Sequence, residues 1–249
     1  MRMKLEGLIL RDLTVGDNDR IVTVLTREKG IIGCYVKGAN SLKHSNFAST
    51  KPLTFSRLTI YQGRGMYIID EAEIIRSFRY YDLDLERLAL SQYLCELAIK
   101  TVPENVPSEG QLELLLNCMH VLTEGLRPCE VIKAVYEIRL TVNSGNMPNI
   151  IYCSGCGCYE SDIMYFNYEE NTLTCSSCCS GEGTVVMLSR GAMTAFRYIV
   201  LSEPKKIFSF TASEGSLGQL ADCAEKYAVS FVGKRLGTLE YYTQVKALG

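Results

Sequence analysis

Four cysteines in two C-x2-C pairs constrain this chain more than any other feature of its sequence. Cys153 and Cys156 form the first pair, Cys175 and Cys178 form the second, and 18 residues separate the pairs. This spacing is typical of a structural zinc site in which four thiolates surround one ion and leave no coordination position open. The sequence therefore predicts one structural Zn²⁺ ion, held by an insertion at about residues 150–185.

Other cysteines near the pairs leave alternatives open. Cys158 or Cys179 could replace a ligand and give a C-x-C or a C-x3-C pair, although the symmetric C-x2-C arrangement has the better precedent. Buried or free thiols on an irregular loop are a further alternative, because cysteine often behaves as a small hydrophobic residue. Six of the 11 cysteines fall within 27 residues, however, which favours a metal site.

The remaining composition is that of an ordinary globular protein. The chain has 249 residues, of which 47% are hydrophobic, and five scattered cysteines outside the cluster suit a reducing compartment. Its first residues lack the long apolar core of a signal peptide or a membrane span. We therefore expect a cytoplasmic protein without a membrane partner.

Residues 1–80 show the alternating pattern of short strands. Apolar runs separated by turns that contain Gly, Asn or Asp occupy residues 5–10, 21–25, 31–36, 53–61 and 66–75. Five antiparallel strands in so short a segment predict a small closed or nearly closed barrel, either an OB-fold or an SH3-like barrel. We predict that this barrel is one domain.

After residue 80 the apolar period lengthens to that of amphipathic helices. Leu112, Leu115 and Met119 share one helical face, and Ser189 and Ser213 are placed to begin later helices as N-caps. Residues 81–249 are therefore predicted to form a helical domain that carries the zinc insertion. The expected fold class is α+β.

The charge of the chain is uneven along its length. Residues 1–80 hold 13 Lys and Arg against 8 Asp and Glu, whereas residues 81–249 hold 13 against 20. A basic barrel with interleaved aromatic residues is typical of proteins that bind single strands, since cations neutralise phosphates and aromatic faces stack on bases. The predicted DNA-binding residues are all basic: Arg11, Arg20, Arg27, Lys37, Lys43, Lys51 and Arg64.

Catalytic motifs are absent from the sequence. There is no phosphate-binding P-loop, no dinucleotide fingerprint, no nucleophile elbow and no H-E-x-x-H helix, and the only histidines are His44 and His120. Neither histidine has a recognisable catalytic partner, and four thiolates would close the zinc site to substrate. We therefore expect a protein that is not an enzyme.

Several segments of the chain resemble the bacterial RecO family of DNA repair proteins. They are Gly7 to Arg11, Asp19 to Thr26, Val36 to Ala39, Tyr61 to Gly65, the two C-x2-C pairs, and Leu188 to Ala192. The resemblance implies an N-terminal OB-fold and a role as a recombination mediator, associated with the nucleoid, that binds single- and double-stranded DNA and anneals complementary strands. It also implies work with RecR in loading RecA onto strands covered by single-stranded DNA-binding protein.

A different class of function is consistent with the same residues. The acidic part after residue 80 also suits a protein-interaction adaptor, in which zinc and helices dock partners and the barrel serves as a scaffold without contacting DNA. Binding of a single-stranded oligonucleotide at low salt separates the two hypotheses.

Overall fold

Five strands close into a barrel in the first part of the chain. The structure is a computed structural model that describes residues 2–39, 41–42, 44–78, 84–181 and 183–248. The barrel strands are β1 (Arg2–Val15), β2 (Asp19–Thr26), β3 (Gly30–Val36), β4 (Thr54–Gln62) and β5 (Tyr67–Ser77). Their order is β1-β2-β3-β5-β4, with β4 pairing back to β1 and with one parallel pair, between β3 and β5. This connectivity is that of an OB-fold, so the predicted OB-fold is confirmed and the SH3-like alternative is set aside.

Alternation along the strands builds the barrel core. Val22 and Val24 of β2 are buried together with Leu58 and Ile60 of β4, while the residues between them point outward. A bulge in β1 follows Ile9, and the middle of this strand is buried on both faces because a helix packs against it.

Three helices belong to the same compact unit as the barrel. They are α1 (Leu85–Thr101), α2 (Glu109–Thr123) and α6 (Gly237–Lys246). Helix α1 begins at Asp84, whose carboxylate accepts a hydrogen bond from the N–H of Arg87. It packs against α2, α6 and β1 and is therefore buried along most of its length.

The second compact unit combines helices with a small sheet. Its elements are α3 (Cys129–Asn143), β6 (Ile163–Asn167), β7 (Thr172–Cys175), β8 (Val185–Ser189), α4 (Arg190–Leu201) and α5 (Glu214–Val232). The sheet has the order β7-β6-β8, and it is a feature that the sequence analysis did not predict. Phe166 of β6 lies edge-on to Phe196 of α4 and to Tyr227 of α5, with ring centroids 5.1 and 5.5 Å apart. These three rings join the sheet to both helices.

Serine side chains begin two helices of this unit, and a glycine ends one of them. The predicted caps Ser189 and Ser213 accept hydrogen bonds from the N–H groups of Ala192 and Ser216. Gly233 ends α5 with a φ of +78°, a conformation that favours glycine.

The compact units do not follow the predicted division of the chain at residue 80. One unit contains residues 1–126 and 237–249, and the other contains residues 127–236. The predicted two-domain division stays a prediction. Within the described ranges, none of the helices combines the length and the apolar character that crossing a bilayer requires.

Candidate metal centre and nucleic-acid interface

The four predicted zinc ligands lie together in the second unit. The sulfur atoms of Cys153, Cys156, Cys175 and Cys178 are all within 4.8 Å of one another, and those of Cys156 and Cys175 are 3.7 Å apart. Sulfurs around a tetrahedral zinc ion, at bonds of about 2.3 Å, are about 3.8 Å apart. The cluster therefore has the size and the donor set to hold one metal ion.

Two short turns place these sulfurs. In the first turn, the N–H of Gly157 donates to the carbonyl of Cys153 over 2.9 Å. In the second, the N–H of Cys178 donates to the carbonyl of Cys175 over 3.0 Å, immediately after β7 ends. Each C-x2-C pair thus bends its backbone so that both of its thiols face the same point.

Backbone N–H groups also favour the thiolate form of Cys153. Burial acts to raise the pKa of this thiol, but N–H donors from Cys156, Cys175 and Gly155 outweigh burial and lower the pKa to about 6. The Gly155 and Cys175 donors lie 3.4 and 3.3 Å from the sulfur. A bound cation would favour the thiolate form of all four cysteines.

The close approach of the two turns requires glycine at position 155. A Cβ atom built on Gly155 would lie 2.9 Å from the Cβ of Cys178 and 3.0 Å from its sulfur. Any larger residue would push the second turn away from the first. This restriction explains the small residue between the first two ligands.

The two alternative ligands differ in their positions. The thiol of Cys158 is hydrogen-bonded to Cys156 and Cys175, so it borders the cluster. Cys179 instead accepts a hydrogen bond from the N–H of Gly181 over 3.4 Å. The four sulfurs that surround a common point are those of the symmetric C-x2-C pairs.

An open face lies on strands β1, β2 and β3 of the barrel. Arg11, Thr23 and Gly33 are register partners across these strands, and Arg11 and Gly33 are exposed. A Cβ atom built on Gly33 would meet no atom of the described residues within 4 Å, so none of these residues covers this position. In OB-folds, the face of strands 2 and 3 and the adjacent loops bind oligonucleotides.

Asp19 fixes the turn that follows β3. Its carboxylate accepts a hydrogen bond from the N–H of Gly38 over 2.7 Å and another from the hydroxyl of Tyr35. These two bonds, with a smaller contribution from the charge of Lys37, lower the pKa of Asp19. The carboxylate is thus occupied within the protein, and Lys37 is exposed at the edge of the face.

Three of the predicted DNA-binding residues are exposed and available. Arg11 lies on β1, Lys37 follows β3, and Arg64 lies in the turn between β4 and β5. Among the described residues none of the three forms a salt bridge. Lys43, another predicted contact, lies outside the described residues.

Two further predicted contacts have partners within the protein. Lys51 lies 3.5 Å from the carboxylate of Asp12 and 4.9 Å from the ring centroid of Phe47. Arg27 pairs with Glu109 and Glu113 of α2. Both side chains are partly exposed, but a phosphate would have to compete with these carboxylates.

Arg20 requires a correction to the predicted set, because its side chain is completely buried. The guanidinium donates to the carbonyls of Ala39 and Phe47 over 2.5 and 2.8 Å and to the hydroxyl of Thr50 over 3.0 Å. It therefore holds the loop between β3 and β4 and is not available to a ligand. The alternation along β2 indicates this burial, since Arg20 is two residues before the buried Val22 and therefore points to the same side of the strand.

Both parts of the chain match models of a known family. Residues 1–78 match the N-terminal domain of Recombination protein O, and residues 82–240 match its C-terminal domain.

Curated relatives extend over nearly the whole length of the chain. The DNA repair protein RecO of Acetivibrio thermocellus is 31% identical over 242 residues, which are 96% of this chain and 95% of that protein. The DNA repair protein RecO of Bacillus pumilus is 28% identical over an alignment of 251 positions, which covers 100% of this chain and 96% of that protein. With both family domains matched in order and a full-length relative above 30% identity, the chain belongs to the RecO family.

Proposed function

We propose that this protein acts in DNA repair and homologous recombination as a mediator that binds single- and double-stranded DNA without sequence preference. It anneals complementary strands and, with RecR, helps to load RecA onto strands covered by single-stranded DNA-binding protein. The observation that carries the proposal is the open OB-fold face of β1, β2 and β3, with Arg11 on it and Lys37 at the end of β3, in a chain of the RecO family. Arg64 is a further candidate contact, because it is exposed in the turn that leads into β5, the strand that pairs with β3.

The chemistry of this face supports contact with the backbone of DNA. Arginine and lysine neutralise phosphates whatever the base sequence, and bound counterions are released when they do so. Gly33 leaves room for a strand to lie close to the sheet. Such a surface binds many sequences and lets strands slide and exchange, as annealing requires.

The metal has a structural role in this proposal, and we propose that it is Zn²⁺. Four cysteine sulfurs are the preferred donors of a structural zinc site, and they leave no position for water or substrate. The ion would connect the turn after β7 to the segment that contains Cys153 and Cys156. This role suits a mediator that is not an enzyme.

Salt dependence tests the proposed DNA surface. We expect a labelled single-stranded oligonucleotide to bind with an affinity that falls linearly on logarithmic axes as salt increases. Arg11→Ala, Lys37→Ala and Arg64→Ala together should reduce the slope by about 2, since each single-strand phosphate contact contributes about 0.7. Fluorescence anisotropy at several salt concentrations measures the slope.

A matched control removes three other arginines from the same compact unit. Arg2, Arg57 and Arg76 are exposed but lie within 2.8, 3.0 and 3.4 Å of Asp70, Glu6 and Glu124. Their triple alanine variant changes the net charge equally and should change the slope much less. Equal slopes for the two triple variants would contradict the assigned surface, and no binding by the wild type at low salt would favour the adaptor.

Annealing of complementary strands provides a second measurement. Energy transfer between two labelled oligonucleotides should rise faster with the wild type than without protein. The Arg11, Lys37 and Arg64 variant should lose most of this acceleration. Annealing that proceeds at the wild-type rate in this variant would separate the activity from the barrel face.

A further inference from the structure

A cavity of about 470 Å³ lies beside the barrel, within the first compact unit. Its walls come from β1, from the segment before β4, from α1 and from the start of α6: Leu10, Arg11, Asp12, Pro52, Leu53, Gln92, Cys95, Glu96, Ile99, Lys100 and Thr238. Leu10, Leu53 and Cys95 are buried and supply an apolar part of the wall. The volume falls within the range of about 300–1,000 Å³ that is usual for small-molecule sites.

Two basic and two acidic residues line this cavity, and the two acidic residues have hydrogen-bond or ion-pair partners. Glu96 accepts hydrogen bonds from the hydroxyl and the N–H of Thr238, at 2.6 and 3.4 Å, at the start of α6. This position is favourable for a carboxylate because helix N-termini carry partial positive charge.

The other carboxylate of the cavity is also occupied. Asp12 lies 3.2 Å from the guanidinium of Arg20 and 3.5 Å from the ammonium of Lys51. In contrast, Arg11 and Lys100 are exposed and form no salt bridge within the described part of the chain. The cavity therefore has satisfied acids and two available cations, which favours an anionic ligand.

We propose that this cavity holds one nucleotide of a bound single strand, with its phosphate between Arg11 and Lys100 and its base against Leu10, Leu53 and Ile99. The proposal rests on the DNA-binding function proposed above and names a specific nucleotide site for it. The strand would pass from the open face of the barrel into this cavity by way of Arg11, which belongs to both.

The two carboxylates favour a nucleotide over an acidic peptide. Oxygen atoms of Glu96 and Asp12 accept hydrogen bonds, and the amino and imino groups of bases are donors. A peptide with several carboxylates would place additional negative charge near these two groups, whereas a nucleotide places its phosphate between the two cations and an uncharged base near the carboxylates. A nucleotide fits both parts of the cavity, because its phosphate can lie between the two cations and its base against the apolar residues.

A single tryptophan can report on this site. The chain contains no tryptophan, and Gln92 lines the cavity while remaining exposed on α1, so Gln92→Trp places one reporter there. Thymidine 5′-monophosphate should quench its fluorescence in a saturable manner. Thymidine should bind about tenfold more weakly or worse, since it lacks the phosphate that charge-assisted hydrogen bonds would hold.

Variants in the reporter background test the assigned residues. Lys100→Ala should weaken binding of the nucleotide about tenfold. Lys4→Ala removes an exposed lysine of β1 that does not line the cavity, and it should leave binding unchanged. Ile99→Phe keeps both cations but fills the cavity with a larger side chain, so it should abolish quenching by the nucleotide. Thermal unfolding verifies that this variant folds.

Distinct results would overturn this site and the proposed function. Quenching that is the same with Lys100→Ala as with Lys4→Ala would overturn the nucleotide site, as would stronger binding of an acidic peptide than of the nucleotide. An oligonucleotide that binds the wild type while the mononucleotide does not would overturn this inference alone. Failure of the oligonucleotide itself would overturn the proposed function.

Discussion

At the scale of single residues, Arg20 shows how a buried cation is accommodated in this barrel. Three of its acceptors belong to the loop between β3 and β4, and the fourth is the carboxylate of Asp12 on β1. Both terminal nitrogens of the guanidinium have acceptors, and only the Nε atom lacks a partner among the described residues. The side chain therefore acts as a fixed support for the loop.

Replacement of Arg20 should destabilise the barrel strongly. Arg20→Met would leave buried carbonyl oxygens without donors, and we expect the free energy of unfolding to fall by about 3 kcal/mol. Arg57→Met is the matched control, because Arg57 is half exposed and pairs with Glu6 and Glu73; it should cost less than about 1 kcal/mol. Urea unfolding measures both, and equal losses would contradict the supporting role of Arg20.

The four clustered cysteines and Arg20 differ in how far the sequence could predict their positions. The C-x2-C spacing is local, because a turn of four residues suffices to bring two thiols to one ion. The three loop acceptors of Arg20 lie 19 to 30 residues away, in a segment whose path no short pattern specifies. The basic composition of the segment therefore predicts a DNA contact at Arg20, although the alternation along β2 places this side chain in the interior.

At the scale of elements, a buried charge network connects α3 and α5. The ammonium of Lys133 lies 2.9 Å from Glu137, one turn along α3, and 2.8 Å from Glu225 of α5, which also pairs with Arg235. Burial opposes the charge on Lys133, but both carboxylates raise its pKa above the usual value. Burial likewise acts to raise the pKa of Glu225, but Lys133 and Arg235 lower it below its usual range.

The pKa of Glu225 makes its contribution depend on pH. Because the folded-state pKa is below the unfolded value of about 4.3, the stabilisation is complete above that value and is lost as the pH falls through the folded pKa. Glu225→Gln should lower the free energy of unfolding by about 2 kcal/mol at pH 7, and the difference from the wild type should shrink toward pH 3.

A neighbour on the same helix supplies the control. Asp222→Asn removes an exposed carboxylate that lies 2.8 Å from Lys226. This variant should lower the free energy of unfolding by no more than about 0.5 kcal/mol. Chemical unfolding at several pH values compares the two variants. If the free energies of unfolding of Glu225→Gln and the wild type differ by the same amount from pH 7 to pH 3, the proposed contribution of the ionised Glu225 is wrong.

At the scale of the whole molecule, the metal cluster and the three-stranded sheet form one support in the second unit. Cys175 ends β7, and Arg197 of α4 donates to the carbonyls of Ile150, Ile151 and Tyr159 over 2.8, 3.0 and 2.6 Å. The segment that carries Cys153 and Cys156 is thus held by a helix on one side, and the proposed metal ion would hold it on the other. Loss of that ion would remove the second attachment.

Removal of the metal should affect one unit selectively. A strong chelator, or Cys156→Ser, should increase hydrogen exchange in residues 150–181 and lower the thermal stability of the second unit, since metal binding is linked to folding. Exchange in the barrel strands should not change. Metal analysis must show that the ion has left; a metal-free protein with unchanged exchange in residues 150–181 would contradict the structural role.

From the sequence alone, the barrel, the longer helices and the grouping of the four cysteines could be predicted, because each depends on a short repeating pattern or on spacing within a turn. The sheet of β6, β7 and β8 was not predicted because its strands are short and because β8 pairs with β6, not with β7, its neighbour in sequence. The availability of the cations other than Arg20 depended on tertiary contacts, which give Arg27 an acidic partner on α2 and place Lys100 beside the same cavity as Arg11. Local periodicity specifies which face of an element is buried, whereas the partner of each charge depends on contacts between residues far apart in the chain.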